Sequence, residues 1–589
     1  HLGLDGLELG ADAVAQGAEP GAGGLLLGVD IGWQGHGGGN GPSGKLCKAA
    51  SLPHGLAQHH GAGQRHVDGA PARQHGDAQA QVAGFGHRIG HAGALAAQHQ
   101  DVAGREGGIV GGTGERLYEP GKPVTRAEFA AMLIRLFGLE ETNNAIASFR
   151  DVVPSDWFYG AVQAASNLEL VAGTSATAFQ PKASITREQA AVILARGLAL
   201  SANGTSAVRF PDAGSISAYA KASVQAASLA GLLKGDENGN FRPTALLTRA
   251  EIAVVFRRIL QTDDWESRFG ATASAVPQLG WQYQQTLAEY KASISRSSVN
   301  TLVPRVFFLD SASDITDHTD SALLSWANSS GKQVWGMFGN RFDADRTHAM
   351  LSSPSNRQKI VSQAAALVVK HGMDGLNLDF ENVYGEDRNS MTLFVEELAS
   401  ALHKSGAVLS VNVSPDLGTD WTEALHYEEI GDAADYVVLM AYDEHWGGSP
   451  VAGSVSSLPW LKSGLNKLLN EVPAEKTIVA LPFYTRDWTI GPAVSSTELE
   501  IGEQNELIRS LASASKTWDS SVGQYVFAYA KGETTHRIWT EESRSLTAKV
   551  RESIKLGAAG FAYWYIGADS ADVWPSIRNA MKYESFGFD

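Results

Sequence analysis

Between residues 277 and 589 eight short apolar runs alternate with stretches of helical period: LGWQYQ, LVPRVFFLD, KQVWGMFG, DGLNLDFE, VLSVNVSP, YVVLMAYD, TIVALPFY and AGFAYWYI. A strand followed by a helix reaches its neighbour by a crossover, so such runs pair in parallel. Eight of them over about 300 residues match the arithmetic of a (β/α)8 barrel. In that fold chemistry gathers at the carboxyl ends of the strands. The polar clusters fall there: Glu381, Asn412, Tyr442 with Asp443, Tyr484 with Arg486, and Trp564.

The fourth run carries the sharpest signal. Successive strand side chains face opposite ways, so HGMDGLNLDFEN sets Asn377, Asp379 and Glu381 on one face and Leu378 and Phe380 on the other. Acids crowded in a barrel mouth raise the pKa of at least one of them. A glutamate so raised is a general acid.

Upstream of the barrel the chain repeats itself at a spacing of 61 or 62 residues. GGTGERLYEPGKPVTRAEFAAMLIRLFGL is echoed by AGTSATAFQPKASITREQAAVILARGLAL and by KGDENGNFRPTALLTRAEIAVVFRRIL. The matched positions are Gly112, Gly173 and Gly235; Tyr118, Phe179 and Phe241; and Thr125-Arg126, Thr186-Arg187 and Thr248-Arg249. Each threonine can N-cap a helix, and repetition at this length means stacked supersecondary units. Arg126, Arg187 and Arg249 then fall in first helical turns, where backbone N–H groups and the macrodipole favour an anion. The plainer reading pairs them locally with Glu128, Glu188 and Glu251.

Residues 106–260 thus form a helical repeat domain whose first unit lacks its leading half, 261–276 read as a linker, and 277–589 form the barrel. Residues 1–105 hold ten of the seventeen histidines without ligand spacing or apolar period. That composition reads as a disordered tail or as an out-of-frame translation. The net charge of −17 argues against nucleic-acid partners, and no apolar run is long enough to insert in a membrane. The single cysteine, Cys47, excludes a disulfide framework within one chain. His445 beside Trp446 has no second ligand at metal spacing, so no metal is expected.

Two resemblances follow from these motifs. The repeats resemble the S-layer homology module, with Thr-Arg-Ala-Glu intact at 125–128 and 248–251 and Thr-Arg-Glu-Gln in the second copy. The resemblance implies an anchor that grips an anionic secondary cell-wall polysaccharide through Arg126, Arg187 and Arg249. The barrel resembles glycoside hydrolase family 18, whose Asp-Gly-x-Asp-x-Asp-x-Glu pattern stands here as Asp374-Gly375-Leu376-Asn377-Leu378-Asp379-Phe380-Glu381. Asn377 in place of the middle acid is shared by the spore and cell-wall N-acetylglucosaminidase branch, as are Met440–Trp446 and Leu481–Arg486.

That likeness implies substrate-assisted, retaining catalysis without a cofactor. Glu381 would protonate the glycosidic oxygen while the sugar's own N-acetyl group attacks the anomeric carbon, with Asp379 and Tyr442 holding that group. Asn377 would hydrogen-bond Asp379 and leave an active enzyme with an altered pH profile. Trp564 would be the floor for the sugar, and Asn412, Asp443, Tyr484 and Arg486 would line the site with Trp281 and Trp446. Trp335 and Trp488 are weaker candidates. Three functions compete: a surface-anchored hydrolase of peptidoglycan, a wall-anchored chitinase, and an inactive sugar-binding surface protein. The implied location is the bacterial cell surface, reached by export although no signal peptide is visible.

Overall fold

The computed structural model describes residues 108–111, 117–202, 209–270, 276–511 and 513–588, all within one compact unit. The segment 1–105 and Gly112 of the first repeat lie outside the described residues.

The repeats close on themselves around a threefold pattern. Val124 N–H donates to Leu247 O (2.9 Å), Ile185 N–H to Val124 O (2.9 Å) and Leu247 N–H to Ile185 O (3.1 Å), so each repeat hands one hydrogen bond to the next. Immediately after each lies a capped helix: Arg126–Leu136, Arg187–Gly197 and Arg249–Leu260. Thr125, Thr186 and Thr248 cap them, each in a reciprocal box with Glu128, Gln189 or Glu251.

The three repeat arginines take part in this closure. Arg126 Nε donates to Phe179 O, Arg187 Nε to Phe241 O and Arg249 Nε to Tyr118 O, each at 2.8 Å. Nη2 of each meets a second carbonyl, of Ala172, Lys234 and Gly111 respectively. The guanidiniums also lie 4.7–5.2 Å over the rings of the same Phe179, Phe241 and Tyr118. They are 3–9% exposed and stitch repeat to repeat, with two of their three nitrogens spent on backbone. Arg187 Nη1 lies 3.5 Å from Glu251 of the next repeat, while its neighbour Glu188 accepts from Ser217 instead.

Residues 261–276 include a helix, Asp263–Gly270. The barrel strands are β1 (Gln278–Trp281), β2 (Thr301–Val303) continued past Pro304 as β3 (Arg305–Ser311), its hairpin partner β4 (Asp314–Asp317), β5 (Gln333–Gly339), β6 (Gly375–Asp379), β7 (Val408–Val413), β8 (Tyr436–Met440) and β9 (Thr477–Pro482). Five antiparallel strands follow: β10 (Tyr484–Ile490), β11 (Ser495–Glu500), β12 (Ser515–Asp519), β13 (Gln524–Lys531) and β14 (Thr534–Trp539). The chain then returns as β15 (Gly560–Trp564), which pairs in parallel with β9 and β1. With β2 pairing both β1 and β5, the eight-membered parallel ring is closed. All eight runs named from the sequence are in it. The insertion β10–β14 was not anticipated and forms its own sheet beside the barrel mouth.

Candidate active site

β6 delivers the acids because its apolar side is tightly held. Leu376 and Leu378 are fully buried, and Phe380 stacks on Phe394 and meets Phe338 edge-on. Asn377, Asp379 and Glu381 therefore face the barrel interior and mouth. Asn340, at the end of β5, clasps the peptide of Glu381: its Oδ1 accepts from Glu381 N–H (3.1 Å) and its Nδ2 donates to Glu381 O (2.7 Å). The sequence reading missed Asn340. Its place directly after KQVWGMFG, at a strand end like the other polar residues, was the available signal.

Asn377 is fully buried and touches a chain of polar groups beneath the mouth. Its Oδ1 accepts from Trp281 Nε1 (3.1 Å), and its Nδ2 donates to Ser410 Oγ (2.9 Å) and Asn412 Oδ1 (2.8 Å). Asn412 Nδ2 in turn donates to Asp379 Oδ1 (2.8 Å). The expected link between Asn377 and Asp379 thus runs through Asn412. Asn377 and Trp281 are interior supports, which corrects their assignment to the sugar surface.

Across the mouth Tyr484 donates to Asp443 Oδ1 (2.6 Å) and its ring meets that of Tyr442 at 6.2 Å. Asp443 holds φ +63°, an uncommon backbone for a non-glycine and one found repeatedly at functional sites. Trp564 packs against Trp281 (5.8 Å) and Tyr283 (5.4 Å), forming an aromatic floor. From there a row leads outward: Arg305 lies over Tyr283 (5.0 Å) and Phe308 (5.6 Å), and the exposed Arg341 lies over Phe308 at 4.2 Å. On the insertion, Arg486 pairs with Glu498 (2.9 Å) and Tyr565 donates to Glu500.

Trp446, 38% exposed, remains available to a ligand. Trp335 and Trp488 do not: both are buried, Trp335 stacking on Tyr436 at 5.5 Å, which removes them from the groove. His445 gives a ring nitrogen to Ser454 O (2.9 Å). Among the described residues no group of three or more His, Cys, Asp or Glu could hold a metal ion.

Electrostatics divide the roles. Burial, then the charge of Asp379, push the Glu381 carboxyl well above the usual carboxylate range; Asp443 adds to the rise and Arg305 opposes it. Burial, then Asp379 and Glu381, push the Tyr442 phenol up as well, so it stays a hydrogen-bond donor. A carboxyl raised toward its protonated form, beside Asp379 and a phenol donor, is the equipment for cleaving an acetal under general acid catalysis.

The comparisons agree with this geometry. The family model for glycosyl hydrolases family 18 matches residues 299–569, and that for the S-layer homology domain matches 105–130, 148–191 and 209–253. An uncharacterized glycosylase of Bacillus subtilis, YvbX, is 27% identical over 326 residues, covering 53% of this chain and 94% of its own. The cortical fragment-lytic enzyme of the same organism is 25% identical over 240 residues, 40% of this chain and 56% of its own. The surface-layer 125 kDa protein of Lysinibacillus sphaericus is 33% identical over 162 residues, 27% of this chain and 14% of its own. The barrel is a family 18 glycosyl hydrolase domain, and it is carried behind S-layer homology repeats that indicate association with the cell surface.

Proposed function

We propose that this family 18 domain, held at the cell surface by its repeats, hydrolyses the β-1,4 bond after N-acetylglucosamine in peptidoglycan by substrate-assisted, retaining catalysis. Glu381 donates its proton to the glycosidic oxygen while the acetamido carbonyl of the same sugar closes on the anomeric carbon, breaking the bond to the leaving sugar. Asp379, held by Asn412, and the Tyr442 phenol stabilise the positive oxazolinium that forms. Water then opens it as Glu381, now ionised, takes the water's proton. This scheme is an exception to the usual two-carboxylate mechanism, and it needs no enzymic nucleophile.

The observation that carries the reading is the pairing of Glu381, raised by burial and by Asp379, with an amide-supported Asp379 two residues earlier. The choice of peptidoglycan over chitin is supported by the row of Arg305 and Arg341 leading from the floor to the rim. Chitin is neutral, whereas the sugar beside N-acetylglucosamine in peptidoglycan carries an acidic or acid-bearing substituent, which guanidinium recognises well. Likeness to a cortical fragment-lytic enzyme points the same way.

Purified peptidoglycan and colloidal chitin digested side by side test the reading. We expect faster release of reducing ends from peptidoglycan. Arg341→Gln should narrow the gap by roughly tenfold, the value of one charge-assisted contact of about 1.5 kcal/mol. Equal rates on both polymers, unmoved by that substitution, would favour the chitinase.

A further inference from the structure

The seam between the repeats and the barrel holds a cleft of about 720 Å³, within the range of sites that take small molecules. Its wall carries five cations, Arg150 and Arg196 from the repeats and Lys516, Arg544 and Arg551 from the barrel side, against one lining carboxylate, Glu169. This is a concentration of positive charge on a chain whose net charge is −17.

Four of the five cations have contacts that hold them in place. Arg544 lies 3.7 Å over Trp518 and donates to the Tyr525 hydroxyl (3.2 Å). Lys516 lies over Tyr525 (4.8 Å) and donates to Ala147 O, and Arg196 donates to Glu169 O (3.3 Å). Arg551 donates to Leu168 O (2.9 Å) and is the one member with a carboxylate partner among the described residues, Glu584. Among the described residues, carbonyls and rings hold Arg196, Lys516 and Arg544 without a carboxylate partner in a salt bridge, whereas Arg551 is paired. Burial draws the Lys516 ammonium down; Glu542 opposes this, and the neighbouring Arg150 and Arg544 add to the fall. Like charges crowded at such a cost favour an anion that relieves them.

We propose that this cleft binds an anionic stretch of saccharide, its carboxylate or phosphate groups bridging Arg150 and Arg196 of the repeats to Lys516 and Arg544 of the barrel. The Arg544 guanidinium, already held by Trp518 and the Tyr525 hydroxyl, spends little entropy on capture. Because three of the five cations belong to the barrel side, surface anchoring depends on the catalytic domain as well as on the repeats. This inference does not rest on the catalytic reading.

Calorimetry on the full chain tests it, with a galacturonic acid trimer, a glycerol-phosphate trimer and neutral chitotriose as titrants at low salt. One or both anions should bind, and which one does identifies the acid; the double variant Arg150→Gln, Lys516→Gln should weaken that binding at least tenfold. The exposed Arg196→Gln, which risks no core, should weaken it several-fold. Both variants should hydrolyse a soluble substrate at the unaltered rate, and chitotriose binding, which reports the catalytic groove, should not move. Absence of binding by both anions, or anion binding unchanged in Arg196→Gln and the double variant alike, would overturn the proposal.

Discussion

Glu381 sits where a carboxylate is least comfortable, and that discomfort is measurable apart from catalysis. A carboxyl raised in the folded state holds its proton more tightly than in the unfolded chain. Its contribution to stability is therefore complete below the unfolded pKa and is lost as pH rises through the folded value. Glu381→Gln does not titrate, so its melting temperature should match the parent's at about pH 4 and exceed it increasingly toward alkaline pH. Thermal melts across that range check this, and a constant difference would mean that the carboxyl is not raised. Asn377 belongs to the same scale. As a neutral amide it donates to Ser410 and Asn412 and accepts from Trp281 at once, a pattern that a carboxylate could not complete.

At the scale of elements, each repeat helix depends on its threonine cap. Thr186→Ala removes the oxygen that accepts from Gln189 N–H and should cost about 1 kcal/mol, read as a lower denaturation midpoint with activity on soluble substrate intact. The barrel strands were legible because each is an apolar run bounded by helix, a pattern set by burial on both faces. The sheet β10–β14 was not, because the sequence reading followed parallel units and passed over a hairpin signal. FAYAKGETTHRIW alternates around Gly532 at φ +63°, and the stretch from Tyr484 to Gly560 is longer than a single crossover helix needs. The site was legible to the same extent. Asp379, Glu381, Tyr442, Asn412 and Trp564 stand at strand ends and could be named. Trp281, Trp335 and Trp488 could not be sorted, since strand alternation does not tell an interior ring from a groove ring until neighbours are known. The repeat arginines recur in register, which signals a shared role, and each makes the same contact with a carbonyl of the next repeat.

Over the whole molecule, the chain's last described residues close the repeat domain. Tyr583, Phe586 and Phe588 join Phe137 and Phe269 in one aromatic cluster within the repeat core, with Phe586 only 1% exposed. Arg578 pairs with Glu140, and Asn579 exchanges hydrogen bonds with the Glu140 backbone, on the same seam. Repeats and barrel should therefore melt together. Phe586→Ala, at a cost of about 3–5 kcal/mol, should split a single calorimetric transition into two, the earlier belonging to the repeats. A single undivided transition in that variant would show that the two cores do not share this cluster. A shared core also holds the barrel mouth in one place relative to the repeats, so under the proposed function it would present that mouth to the wall in one orientation.

The central claim is that Glu381 supplies the proton for cleavage, and the most direct measurement is hydrolysis and binding by Glu381→Gln on one N-acetylated oligosaccharide. The side chain keeps its shape and loses only the transferable proton. The rate should fall by about a hundredfold to ten-thousandfold, as for loss of a general acid, while the dissociation constant changes little. A variant that binds and still cleaves at close to the parent rate would contradict the assignment of the acid.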